Sequence, residues 1–179
     1  KLDFDGKDRI FAEASFLRGY YYFELVKTFG AVPLVVDRRI GIEEVIQIER
    51  TPAADVYAQI EADLLAAADV LVWTTSVKGR ATKGAALGLL GRVYLYQDKF
   101  DQASVVLDQI INEGPYRTIN YASADEYAAI FSTVQEGNSE SVLEIQFSGE
   151  EGGSYDCFIC LEGNQTVGFH GIRQYNGPI

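Results

Sequence analysis

The sequence predicts a mainly α protein built from antiparallel helix pairs, with a short strand and an irregular, glycine-rich C-terminal segment. Three observations carry this. Apolar residues recur at three- and four-residue steps through most of the first 113 residues, the spacing of one helix face. The period drops to two at Leu143, Ile145 and Phe147, which alternate with Glu144 and Gln146 as in a half-buried strand. Beyond Ser148 seven glycines lie between Gly149 and Gly177, and no period survives.

The first helix is expected over Ile10–Phe29. Ile10, Ala14, Leu17, Tyr21 and Leu25 form its stripe, widened by Phe16, Tyr20 and Phe23. A segment apolar nearly all round belongs at the centre of a fold. Gly30 and Pro33 end it, and AVPLVVD continues as extended chain. Thr51 as N-cap, with Pro52 at the first helical position, opens a second helix whose Val56, Ile60, Leu64, Ala67 and Leu71 share a face. A third is expected from Thr82 to Gln97 and a fourth from Asp101 to Asn112, stopped by Gly114-Pro115. Ser123 and Glu126 form a capping-box pair ahead of a short fifth helix over Tyr127–Phe131.

The third helix, in GRATKGAALGLLGRVYLY, carries Gly84, Gly88 and Gly91. Each glycine costs a helix interior roughly 1 kcal/mol relative to alanine. A phosphate loop needs Lys and Ser/Thr after its second glycine, but Ala85 and Ala86 follow Gly84 and no apolar strand precedes. The tetratricopeptide pattern fits instead: Leu87, Leu90-Gly91, Tyr94, Ala103, Leu107 and Pro115 stand in register. Gly91 and Ala103 are then the small residues where two helices cross, with Leu87, Leu90, Tyr94 and Leu107 around them. The glycines are expected to admit a neighbouring backbone. The first two helices form a second, degenerate pair, and such repeats stack to be stable.

Twenty-six acidic against fifteen basic residues give a net charge of −11, which repels a phosphate backbone and excludes nucleic acid as a partner. No apolar run approaches the roughly 20 residues needed to span a bilayer. The chain opens at Lys1 and contains no methionine, so the expectation is an internal piece or a processed product. Cys157 and Cys160 form a lone CFIC, and His170 is the single histidine. That is too few donors for a structural zinc site, and no βαβ pattern flanks the pair for redox work. Two unpaired or mutually bonded cysteines are expected, with no metal and no cofactor.

Five blocks then stand in order: AEASFLRGYYYFELVKTFGAVPLV, TPAADVYAQIEADLLAAADVL, GRATKGAALGLLGRVYLY, YASADEYAAIF and NSESVLEIQF. In order and spacing they closely resemble the central region of the SusD/RagB family, over Asp8 to Phe147. The resemblance implies residues 1–147 as a tetratricopeptide-like helical region and 148–179 as the start of a loop-rich one. It implies a non-enzymatic lipoprotein of the outer-membrane surface in Bacteroidetes-type bacteria. Such proteins capture oligo- or polysaccharide and deliver it to a SusC-like TonB-dependent transporter, touching the membrane only through a lipid anchor outside this chain. The chain lacks the family's lipidated cysteine, its preceding helices and most of its C-terminal half.

Sugars are held by flat aromatic faces together with planar polar groups. Eleven Tyr, ten Phe and one Trp supply rings, but Phe16, Tyr20, Tyr21, Tyr22, Phe23, Tyr94 and Tyr96 sit at helical spacing and read as core or helix contacts. Trp73 reads as a cap on a helix pair. The loop NQTVGFHGIRQYN is the better ligand candidate, through Phe169, His170, Arg173, Tyr175 and Asn176 on a glycine-rich segment. No catalytic residue is assigned: scattered carboxylates do not make a glycosidase pair, and a nucleophile relay has His170 alone as its base. The alternative function is a tetratricopeptide-type adaptor whose groove holds a peptide, without glycan binding.

Overall fold

Gly30 takes a φ of +68°, which glycine alone adopts freely, and its N–H closes onto the Val26 carbonyl at 2.9 Å. That turn ends α1, Lys7–Phe29. The computed structural model describes residue 4 and residues 6–77, 79–131 and 136–145. After α1 come α2 (Ile42–Val45), α3 (Ala53–Val70), α4 (Lys83–Leu95), α5 (Phe100–Glu113) and α6 (Ala124–Ala129), all within one unit, Lys1–Glu144. The chain is mainly α, as expected.

The helices lie antiparallel in chain order. Val32, just past α1, bridges Thr51, just before α3, while Glu13 in α1 meets Arg80 beyond the end of α3. Gln97 and Lys99, past α4, reach Glu61 in α3, and Lys83 at the start of α4 donates to the Val72 carbonyl after α3. α5 returns along α4, so Gly91 faces Leu107, Gly88 faces Ile110 and Gly84 faces Tyr116. α1 packs on α3, α3 on α4 and α4 on α5, whereas α1 barely touches α4. Phe23, Val56, Ile60, Leu64, Leu90 and Val93 are the largest fully buried side chains.

Four local readings change. The inward stripe of α1 is Ala12, Phe16, Gly19, Phe23 and Val26, while Ile10, Leu17, Tyr21 and Leu25 are exposed. Periodicity alone cannot choose between two apolar stripes. The choice falls where Gly19 lets α3 approach: a Cβ there would lie 3.1 Å from Leu64 and 3.6 Å from the Ile60 carbonyl. Tyr21 is thus surface rather than core, and Tyr96 is half in solvent with its ring edge against Phe23 at 5.1 Å.

Thr51 does not cap α3. Its N–H goes to the Val32 carbonyl at 2.9 Å, and Pro52 occupies the N-cap position with no side-chain cap. α2 was not expected from the sequence; four residues are too few to show a period. Finally, Leu143 and Ile145 pair with no neighbouring strand among the described residues, and Phe147 lies outside them. Their segment is tied down differently: Arg117 donates to the Ser139 carbonyl at 2.8 Å, Ile119 to Glu140 at 2.7 Å, and Gly137 to the Glu144 carboxylate.

Candidate functional site

The α4–α5 contact begins at Thr82, whose hydroxyl accepts from Ala85 N at 3.1 Å and so satisfies one of the unpaired donors at the helix start. Leu87, Leu90 and Tyr94 are buried on α4 and Ala103 on α5. Leu107 is half-buried over Gly91, where a Cβ would sit 2.8 Å from its Cδ2. Pro115 is exposed, just past Gly114. The space above Gly84 holds the Tyr116 ring, and Gly88 leaves room, its nearest neighbours being 3.8 Å away. The helix glycines therefore admit side chains rather than a bare backbone. At Gly19 the Leu64 side chain is again the nearest neighbour, at 3.1 Å, with the Ile60 carbonyl oxygen at 3.6 Å.

Charged groups fix the helix register. The Arg18 fork donates to both oxygens of Asp63 at 2.7 and 2.6 Å and to the Val36 carbonyl at 2.8 Å, while Gln59 adds a bond to Asp63 at 2.9 Å. Asp63 is only 4% exposed, so a full set of donors is what makes its burial tolerable. Its hydrogen bond and charge hold the Arg18 guanidinium above the ordinary value against the opposing pull of burial. Arg80 makes the same kind of fork on Glu13, which raises it likewise. Tyr22 clamps the chain after α1, its hydroxyl accepting from Val35 N at 2.8 Å. Trp73 is packed against the core, with Tyr116 edge-on at 6.5 Å and the Lys83 ammonium over its face. These groups orient helices; they do not form a reaction centre.

A different surface lies at α6. Ser123 caps it by accepting from Glu126 N at 3.2 Å, and the Glu126 carboxylate returns to Ala122 N at 2.7 Å. With six residues the helix buries none of its own side chains. Tyr121, Tyr127 and Phe131 consequently form an edge-to-face ladder, 5.4 and 5.6 Å between centroids. Tyr127 is 53% exposed and Phe131 75%. Beside the ladder is a shallow hollow of about 230 Å³ lined by Ile119, Asn120, Tyr121, Glu126, Ala129 and Ile130. The Tyr121 hydroxyl is buried beside the Glu140 carboxylate, and burial, together with the charge of that carboxylate and a hydrogen bond to it, raises its pKa. Sequence reasoning missed this surface, although Phe131 follows Tyr127 by four residues, just past the end of a helix too short to bury either ring.

Phe169, His170, Arg173, Tyr175 and Asn176, like Cys157 and Cys160, lie outside the described residues. Among the described residues no cluster of His, Cys, Asp and Glu is arranged to hold a metal, and no helix is long and apolar enough to cross a membrane.

Antiparallel helix hairpins locked by arginine forks and small-residue contacts define a helical-repeat-like scaffold. The profile of one family, SusD-like and described as "Starch-binding associating with outer membrane", matches residues 2–95. The chain belongs to the SusD-like family. A SusD-like protein of Formosa agariphila is 33% identical over 101 residues, 56% of this chain and 20% of that protein. The crystal structure of a SusD-like protein from Bacteroides fragilis superposes with a TM-score of 0.75 at 30% identity, covering 84% of this chain and 30% of that one. A laminarin-binding SusD-like protein gives 0.66 at 38% identity, covering 79% of this chain and 31% of that one. The chain thus spans a third or less of the length of these relatives.

Proposed function

We propose that this chain is the helical scaffold of a cell-surface protein that captures oligo- or polysaccharide and hands it to a SusC-like TonB-dependent transporter. A lipid anchor outside these residues holds that protein to the outer membrane. Binding, not turnover, is its task. The observation that carries the reading is the family match over residues 2–95, and the fold similarity to a laminarin-binding relative supports it. Residues 1–147 are the helical region in this reading and 148–179 open a loop-rich one, where Phe169, His170, Arg173, Tyr175 and Asn176 contact ligand.

Isothermal titration of the full-length protein against a polysaccharide panel, laminarin and starch included, tests the reading, with co-purification of a transporter as the second arm. Binding to one glycan together with the transporter is the expected result. No glycan bound and no transporter recovered would overturn it, as would hydrolysis of a glycan that stops when one carboxylate is replaced. A second reading, a protein-interaction adaptor, draws support from the exposed apolar stripe of α1. A pull-down yielding peptide-bearing partners and no transporter would favour it.

A further inference from the structure

We propose that residues 37–50, in the connection between α1 and α3, are a strap that swings out as one piece without unfolding the helices, and that Tyr22 and Arg18 are its latch. The inference rests on the fold alone, so its failure leaves the glycan-capture reading where it stands. Connections between packed helices usually take roughly 2–8 residues, and the stretch from Gly30 to Pro52 is far longer.

Its two ends are fastened to the helices and to each other. Thr51 N donates to the Val32 carbonyl at 2.9 Å. The Tyr22 hydroxyl accepts from Val35 N at 2.8 Å and donates to the Val35 carbonyl at 3.3 Å, while Arg18 Nη1 donates to the Val36 carbonyl at 2.8 Å. Nε and Nη2 of Arg18 are spent on Asp63 in α3, so the guanidinium that holds the strap is itself aimed by the helix contact.

Beyond Val36 the bonds turn inward. Arg38 Nη1 donates to both oxygens of Glu44 at 2.9 Å, the Glu44 carboxylate also accepts from Gly41 N at 3.1 Å, and Gln47 N donates to the Glu44 carbonyl at 2.9 Å. Among the described residues, no hydrogen bond or ion pair of 37–50 leaves the segment. Ile42 and Ile46, 88% and 84% exposed, are the two most exposed large apolar side chains among the described residues, so burial adds no hold there. A piece braced on itself and tied down by a few outer bonds opens locally, at a free energy well below that of the whole fold. Its hinges are the residues beside the last fasteners, 36–37 and 50–51. Opening carries Ile42 and Ile46 away together and frees the Tyr22 hydroxyl and one arm of Arg18.

Amide exchange on the full-length protein tests this. In the wild type, Val35 and Thr51 are expected to exchange faster than the amides where α1 and α3 pack on each other. Tyr22→Phe is expected to speed Thr51 roughly three- to tenfold, the worth of one hydrogen bond, with α1 and α3 unchanged. Thr51 bonds Val32 rather than Tyr22, so its response reports opening and not the loss of its own partner. Arg18→Lys keeps the charge beside Asp63 but cannot reach all three acceptors, and is expected to act in the same direction. Glu44→Gln, which weakens the inner brace, is expected to speed Gly41 and Gln47 while leaving Thr51 alone. Trypsin gives a second reading: cuts after the exposed Arg39 and Arg50, located by mass, should rise in Tyr22→Phe by the same factor as Thr51 exchange. An unchanged Thr51 rate in both Tyr22→Phe and Arg18→Lys overturns the latch. Acceleration of α1 and α3 by the same factor as Thr51 overturns the strap, because the connection would then open only with the helices. If Glu44→Gln speeds Thr51 as well, movement as one piece is overturned.

Discussion

Two glycines one turn apart on α4 are predicted to respond oppositely to the same methyl group. At Gly88 an added Cβ stays 3.8 Å from Ile110 and Val142, so Gly88→Ala gains helix propensity, up to about 1 kcal/mol. At Gly91 the Cβ falls 2.8 Å from Leu107 Cδ2 and 2.9 Å from Cγ. Because moving Cγ needs a new χ1, overpacking of about 2 kcal/mol outweighs the propensity gain for a net loss near ~1 kcal/mol. Urea denaturation of both variants decides; equal shifts would show that α4 and α5 do not meet at Gly91. Tyr94 supplies a second residue-scale expectation. Burial, with the Glu61 charge, raises its pKa above the ordinary value. A raised folded value means its contribution is complete below the unfolded pKa of about 10 and is lost as pH climbs through the folded one. Alkaline titration followed by phenolate absorbance should show a late tyrosine whose ionisation coincides with loss of helix.

Among the elements, α1 and α3 depend most on charge. Asp63→Ala strands the Arg18 fork and Gln59, and truncating one partner of a buried pair costs roughly 3–5 kcal/mol. Arg18 keeps 32% of its side chain in solvent, so the expected loss is about 3 kcal/mol, at the low end. Chemical denaturation checks it, and a loss below ~1 kcal/mol would mean the fork is incidental. The element scale also shows which features were legible in advance. α3, α4 and α5 announced themselves through the Val56-to-Leu71 stripe, the Thr82 cap and the Gly114-Pro115 stop, whereas α6 starts directly after its Ser123 cap and covers Ala124–Ala129 rather than the expected Tyr127–Phe131. These are local signals, complete within one turn of the chain. The inward face of α1, the Pro52 start of α3 and the unpaired 143–145 segment are settled by neighbours far along the sequence, through Gly19 on Leu64 and Thr51 on Val32. The α6 aromatics were legible as residues but not as a surface, since their ladder needs Tyr121 folded back beside Tyr127.

At the scale of the molecule, the second stripe of α1 faces outward through Phe11, Leu17, Tyr21 and Leu25, with Tyr21 62% exposed. A contiguous apolar face of this kind drives association when nothing covers it. Replacing Leu17, Tyr21 and Leu25 by lysine is expected to raise the monomeric fraction of the isolated chain in sedimentation, with stability shifting by no more than about 0.5 kcal/mol per site. A large fall in the thermal midpoint would mean that the stripe is core after all.

Because each long helix touches chiefly the helices before and after it, cohesion passes along the chain as a load passes along links. α3 is the link between α1 and the α4–α5 pair. A cavity at Leu64 should therefore release amide protons in α1 sooner than in α5, whereas one at Ile110 should fray the far end and leave the α1–α3 pair protected. Damage in such an array is directional, and hydrogen exchange reads the direction.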